Sequence, residues 1–220
     1  MKGKRTFIYG AGGHGKVVAD ILLACGDTSL AGFVDDNSSL QGTELLGLPV
    51  VGTVEWLWQE AAGNETSIVL GIGDNRLRQI AAQHCLAHKV EVRTAVHPTA
   101  TIARSALLGQ GTVVMAHAVI NPDARVGQGV IVNTGAVLEH DVVINDFAHV
   151  SPNATLGGAA RLGRLSHLGL GAIVLPGISI GAQSIVGAGS VVVKGIPDNV
   201  VAMGTPARIH RLIQDKANGK

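Results

Sequence analysis

From Val96 to Val192 a branched aliphatic residue recurs at every sixth position: Val96, Ile102, Leu108, Val114, Ile120, Val126, Val132, Leu138, Ile144, Val150, Leu156, Leu162, Leu168, Val174, Ile180, Val186 and Val192. Two places before most of these anchors stands a small residue, such as Ala100, Ala118, Ala136, Ala154 or Ala172, and the residue after an anchor is often Gly or Asn. A helical face recurs every three or four residues, and no ordinary sandwich keeps one period for so long, so neither accounts for the pattern. One apolar anchor, one small residue and one turn former per unit describe a short flat strand followed by a corner. Three such units close a triangular coil of about 18 residues, and stacked coils fill the prism with aliphatic side chains. The seventeen anchors therefore predict a parallel β-helix of between five and six coils.

The chain before this repeat is patterned differently. Residues 6–9 form an apolar run that stops at Gly10-Ala11-Gly12-Gly13-His14-Gly15, after which Val17, Val18, Ile21 and Leu22 recur at helical spacing. This predicts strand, glycine turn and helix, in the G-x-G-x-x-G pattern that lets backbone approach a phosphate at a helix N-terminus. A second apolar segment, Leu30 to Val34, ends in Asp35-Asp36, where a carboxylate can meet a ribose or base. Pro49 to Gly52 reads as a strand end, Val54 to Ala61 as a helix, Ser67 to Ile72 as a buried strand, and Gly73-Asp74-Asn75 as the opening of a helix through about Leu86. Gly10, Asp35 and Gly73 all fall at carboxyl ends of strands, the edge along which open α/β sheets bind ligands. His14 stands among the amides of that edge. The expected division is a Rossmann-like domain that binds a nucleotide-like ligand over 1–92, the β-helix over 93–195 and a tail over 196–220, whose polar terminus is expected to fray.

Composition narrows the classes. Aromatic residues are 3% of the chain against 46% hydrophobic, as suits a narrow prism that takes Val, Ile, Leu and Ala better than rings. A formal net charge of +1 with no basic block excludes an electrostatic footprint for nucleic acid. No stretch has the ~18 consecutive apolar residues of a membrane span, and the basic amino terminus leads into too short an apolar run for a signal peptide, so the expected location is cytoplasmic. Cys25 and Cys85 form no metal-ligand spacing and are expected to be buried thiols.

Against the small-residue wall of the repeat a few polar residues stand out: Asn133 after Val132, Glu139-His140-Asp141 after Leu138, and His149 before Val150. His140 lies two residues past an anchor and so at a corner. A histidine beside carboxylates can act as a general base oriented by one of them, or can simply form a surface ion pair. His149 and His167 are one coil apart and should stack on one face, but a zinc site would need a third convergent ligand that one chain does not offer.

These residues carry a family resemblance. The hexapeptide period, the Gly204-Thr205-Pro206-Ala207-Arg208 tail and Asn133…Glu139-His140-Asp141…His149 resemble the left-handed β-helix acyltransferases. Joined to the Gly-Ala-Gly-Gly-His-Gly domain with Asp35-Asp36, the whole resembles the sugar O- and N-acyltransferases of the sialic acid O-acetyltransferase type, and most of all the N-acetyltransferases of nucleotide-linked 4-amino-4,6-dideoxy sugars. The resemblance implies a left-handed coil, a homotrimer, acetyl-CoA as cosubstrate in the cleft between prisms, and no metal. It makes His140 the general base and Asp141 the carboxylate that raises its basicity. Asn133 would hold the sugar or base, and His149 would contact acetyl-CoA. Gly158, Leu170 and Ala188 would line the pantetheine channel, and Gly12, Gly13, His14, Asp35, Asp36 and Gly73 would take the nucleotide-sugar. The nucleotide is expected to be UDP, with dTDP and GDP open. Alternatives are transfer to a sugar hydroxyl, a metal-dependent carbonic anhydrase on the same β-helix, and a non-catalytic nucleotide-sugar sensor.

Overall fold

The computed structural model describes residues 4–213, so the polar terminus expected to fray lies largely outside the described residues. The first elements are β1 (Arg5–Tyr9), α1 (Gly13–Ala24), β2 (Leu30–Val34), β3 (Glu44–Leu45), β4 (Leu48–Gly52), α2 (Val54–Gly63), β5 (Thr66–Leu70), α3 (Asn75–Ala87) and β6 (Glu91–Val92). They build one sheet in the order β3-β4-β2-β1-β5-β6, parallel except for the β3–β4 hairpin. The adjacent interior strands β1 and β5 are almost wholly buried, as a sheet covered on both faces requires.

From Ala95 the chain winds into the β-helix. Each of the seventeen anchors is the second residue of a two-residue strand, and each strand as far as Ile173-Val174 pairs in parallel with the one 18 residues on, as Val113-Val114 does with Ile131-Val132. The anchors and the small residues two places before them point inward and form one continuous core from Val114 to Val192. The strand residue between them points outward. Three faces result: one carries Ala95, Val113, Ile131, His149, His167 and Ile185; the second Thr101, Val119, Val137, Thr155, Ile173 and Val191; the third Leu107, Arg125, Val143, Arg161 and Ser179. The strands Val200–Gly204 and Ala207–Leu212 form an antiparallel hairpin that extends the first face.

The corners differ from the sequence expectation. The left-handed turn residue falls three places after each anchor from Leu108 to Val186: Gly111, His117, Asp123, Gly129, Gly135, Asp141, Phe147 and so on to Gly189, all with φ between 56° and 72°. The glycines directly after anchors serve another purpose. A Cβ at Gly109, Gly163 or Gly169 would run into backbone of the next coil, so these glycines permit close stacking rather than turning. Cys25 is also a correction: it caps the end of α1 and is exposed, whereas Cys85 is buried.

The α/β unit packs on the first face of the prism. Ile8, Val18, Ile21 and Leu22 share a core with the outward residues Ala95, Val113 and Ile131 and with Met115. That face is apolar at its amino-terminal end, where the domain covers it, and turns to histidine at His149 and His167.

Candidate active site

The glycine turn separates into two pairs. A Cβ on Gly15 would overlap the Gly10 carbonyl oxygen, and Gly10 has φ +110° with Gly71 close behind it. These two glycines are required for α1 to lie on β1. Gly12 and Gly13 have nothing within 4 Å of an added Cβ, so packing gives no reason for glycine there and the turn is open on that side. Asp35 holds the turn from β2: its Oδ2 accepts from the Ala11 amide at 2.7 Å, and its Oδ1 accepts from the Asn37 amide at 2.9 Å. Asp36 Oδ1 accepts from the Val54 amide at 2.8 Å, at the N-terminus of α2. Both aspartates thus shape the carboxyl edge of the sheet. Gly73 lies next to His14, whose Cβ would be 3.7 Å from a Cβ at position 73.

His14, the second residue of α1, turns inward. Burial, with the nearby Arg78 guanidinium adding to it, lowers its pKa to about 4, and its buried Nε2 has no hydrogen-bond partner. Close by, His149 and His167 stack with ring centroids 4.6 Å apart. Burial, then His167, Arg78 and His14, push the His149 pKa down to about 3, so the ring is neutral at physiological pH. The Asn133 Nδ2 lies 3.0 Å from His149 Nε2, while Asn133 Oδ1 accepts from the Thr134 amide. An amide NH2 can only donate, so this contact assigns the His149 proton to Nδ1, which is buried and has no partner. His167 is held at Nε2 by the Ser151 hydroxyl at 2.7 Å.

His140 and Asp141 lie elsewhere. They form the corner between the second and third faces, and in a triangular prism that edge is opposite the first face, on which the α/β unit and His149 sit. The left-handed φ of +60° at Asp141 turns its carboxylate back to the preceding ring, so that Asp141 Oδ2 is 2.8 Å from His140 Nδ1. That hydrogen bond, with the carboxylate charges of Asp141 and Glu139 behind it, raises the His140 pKa. Nδ1–H is thereby committed to Asp141 and Nε2 is left as the basic atom. Gly158 is one coil further on at the same edge, directly under the imidazole. Leu170 and Ala188, also exposed, stand on the edge between the first and second faces.

The predicted residues therefore form three groups in one chain: Gly12, Gly13, His14, Asp35, Asp36, Gly73, Asn133 and His149 on the domain-bearing side, His140, Asp141 and Gly158 on the far edge, and Leu170 and Ala188 on the edge between the first and second faces. A shallow hollow beside Asp141 is lined by Arg125 and Arg161. A second, between α3 and the corners at Gln110, Gln128 and Phe147, holds none of the predicted residues. Among the described residues no three His, Cys, Asp or Glu converge on a metal position, and no helix is long and apolar enough to cross a membrane. Sequence reasoning missed Arg78 and Asn75, which tie α3 to the prism; an arginine in the first turn of a polar helix, with Arg76 beside it, gave no signal.

Residues 5–84 match the family model of the PglD N-terminal domain. UDP-N-acetylbacillosamine N-acetyltransferase of Bacillus subtilis is 43% identical over 115 residues, which is 51% of this chain and about half of the relative's own length, 52%. The crystal structure of PerB from Caulobacter crescentus in complex with CoA and GDP-perosamine is similar over 96% of this chain and 99% of its own, at 42% identity and a TM-score of 0.89. The acetyltransferase domain of PglB from Neisseria gonorrhoeae, in complex with acetyl coenzyme A, covers 94% of this chain and 100% of its own at 38% identity and a TM-score of 0.88.

Proposed function

Since the chain belongs to the nucleotide-sugar N-acetyltransferases that carry a PglD-type N-terminal domain on a left-handed β-helix, we propose that it transfers the acetyl group of acetyl-CoA to the C4 amine of a nucleotide-linked 4-amino-4,6-dideoxy sugar. The nucleoside diphosphate is UDP or GDP, the two carried by the relatives' substrates. Acetyl-CoA and nucleotide-sugars meet in the cytoplasm, which is where the reaction belongs.

The observation that carries the reading is the position of the His140–Asp141 pair on the edge opposite the domain-bearing face. One protomer cannot bring His140 to its own glycine turn. The uncovered second face supports a solution: its outward residues Val119, Val137, Ile173 and Val191, with Thr155 between the two pairs, make a mainly apolar strip bordered on one side by the His140 edge and on the other by the Leu170–Ala188 edge. Closing three prisms around these faces in a cyclic homotrimer joins the His140 edge of one protomer to the Leu170–Ala188 edge of the next. Gly158 then flanks one wall of the acetyl-CoA channel, Leu170 and Ala188 the other, with the neighbour's His149 and Asn133 beyond them. The nucleotide lies along Gly12, Gly13, His14, Asp35, Asp36 and Gly73.

In this site the amine nitrogen attacks the thioester carbonyl carbon, His140 Nε2 takes the proton the amine gives up, and the C–S bond breaks to release CoA, whose sulfur is protonated by the imidazolium. Asp141 holds Nδ1–H and stabilises that imidazolium. Backbone amides of the channel stabilise the developing oxyanion. The test is thiol release from acetyl-CoA with UDP- and GDP-linked 4-amino sugars and with matching hydroxyl sugars. Release with the amines, and loss of roughly 10²-fold or more in turnover for His140→Ala, is expected; release with hydroxyl sugars alone contradicts the reading.

A further inference from the structure

Arg78, on the first turn of α3, is completely buried, yet it meets no carboxylate. Its five N–H donors are all used on neutral acceptors. Nε donates to the Gly129 carbonyl at 2.7 Å. Nη1 donates to the Ile72 and Gly73 carbonyls at 3.1 and 2.9 Å. Nη2 donates to Asn75 Oδ1 at 2.7 Å and to the Phe147 and Ala148 carbonyls at 3.0 and 3.3 Å. Asn75 extends the tie, its Nδ2 donating to the Leu165 and Ser166 carbonyls at 3.1 Å.

The Asp74 charge favours the guanidinium without touching it, but a buried cation with no direct ion pair is costly, and a neutral side chain of similar volume would fill the space more cheaply. Its geometry shows what it does in exchange. One planar fork grips two successive carbonyls of the turn that follows β5 and, at the same time, the corners of two coils of the prism. Because a trans peptide holds its N–H opposite its C=O, fixing the Ile72 and Gly73 carbonyls on Arg78 also fixes the Gly73 and Asp74 amides on the other side. Among the described residues neither amide donates to any group.

We propose that Arg78 is a positioning residue for the nucleotide-sugar: it sets the Gly73 turn, with its two free amides, at a fixed distance from the histidine-bearing end of the prism. This rests on the acetyltransferase reading above. The guanidinium has a second consequence, since burial lowers the Arg78 pKa only to about 10 and the group stays charged. Its charge adds to the desolvation that keeps His14, His149 and His167 neutral, while Asp74 works in the opposite sense on His167.

The experiment is steady-state kinetics of the full-length Arg78→Met and Arg78→Lys variants, varying the nucleotide-sugar and acetyl-CoA separately, with thermal unfolding as the folding control. Arg78→Met is expected to raise KM for the nucleotide-sugar about tenfold, several times more than any change in KM for acetyl-CoA, and Arg78→Lys, with fewer donors, to recover it only in part. If Arg78→Met does not fold, Asn75→Ala removes one acceptor of the fork and leaves the charge; a smaller rise in the same KM is expected. An unchanged nucleotide-sugar KM in a folded variant, or equal rises in both KM values, overturns the proposal. A wild-type protein inactive on every nucleotide-linked amino sugar overturns the acetyltransferase reading instead.

Discussion

The imidazole of His140 rests on Gly158: a Cβ added at Gly158 would stand 2.5 Å from His140 Nε2 and 2.6 Å from Cε1. The glycine one coil away is therefore what allows the ring to lie flat against the prism with its basic nitrogen presented along the edge. Gly158 is outside the left-handed region, so alanine costs the backbone nothing there. Gly158→Ala is expected to fold with an unchanged thermal midpoint and to lose about tenfold or more in kcat, because even a ~1 Å displacement of a reacting group is expensive. Kinetics beside a melting curve check it, and wild-type kcat would refute the contact.

Asp141 raises the His140 pKa through the 2.8 Å hydrogen bond to Nδ1. The base works only when neutral, so activity falls as pH drops through that raised value. In Asp141→Asn the charge is gone and the His140 pKa falls, so the acid limb of the kcat/KM profile is expected to move to lower pH. The plateau should also drop by about 10- to 100-fold, because a weaker base is less effective and the imidazolium is less stabilised. A limb that stays in place assigns the titration to another group.

The two pairs of glycines in the first turn are expected to fail differently. Gly15→Ala collides with the Gly10 carbonyl and should destabilise the protein by about 2 kcal/mol or more, read as a lower unfolding midpoint. Gly12→Ala meets open space and should leave the midpoint unchanged while raising KM for the nucleotide-sugar.

How much of this was legible before the structure depends on the kind of information. The repeat was legible because a coil puts residues 6 and 18 apart into one environment, and Val96 to Val192 obey it without a break. His140 at a corner, and His149 stacked on His167, followed from counting along that period. The sequence expectation mistook the role of Gly109 and its equivalents, since a glycine needed for stacking and one needed for a turn look alike until φ is known. Arg78 was illegible for a related reason: its partners are backbone carbonyls of Gly129, Phe147 and Ala148, which any residue supplies and no pattern marks. That His140 and His149 lie on opposite sides of the prism was implicit in the period, but its meaning required the α/β unit to be seen covering one face.

The central claim is that His140 of one protomer serves the nucleotide-sugar pocket of its neighbour. It is tested most directly by co-expressing two inactive chains, His140→Ala and Gly12→Asp, with different tags, and assaying the purified mixed trimers. Around a cyclic ring every mixed trimer has one of its three sites pairing an intact His140 with an intact neighbouring pocket, and activity is expected to return to about a third of wild type. Mixed trimers that form but remain as inactive as either parent would contradict it.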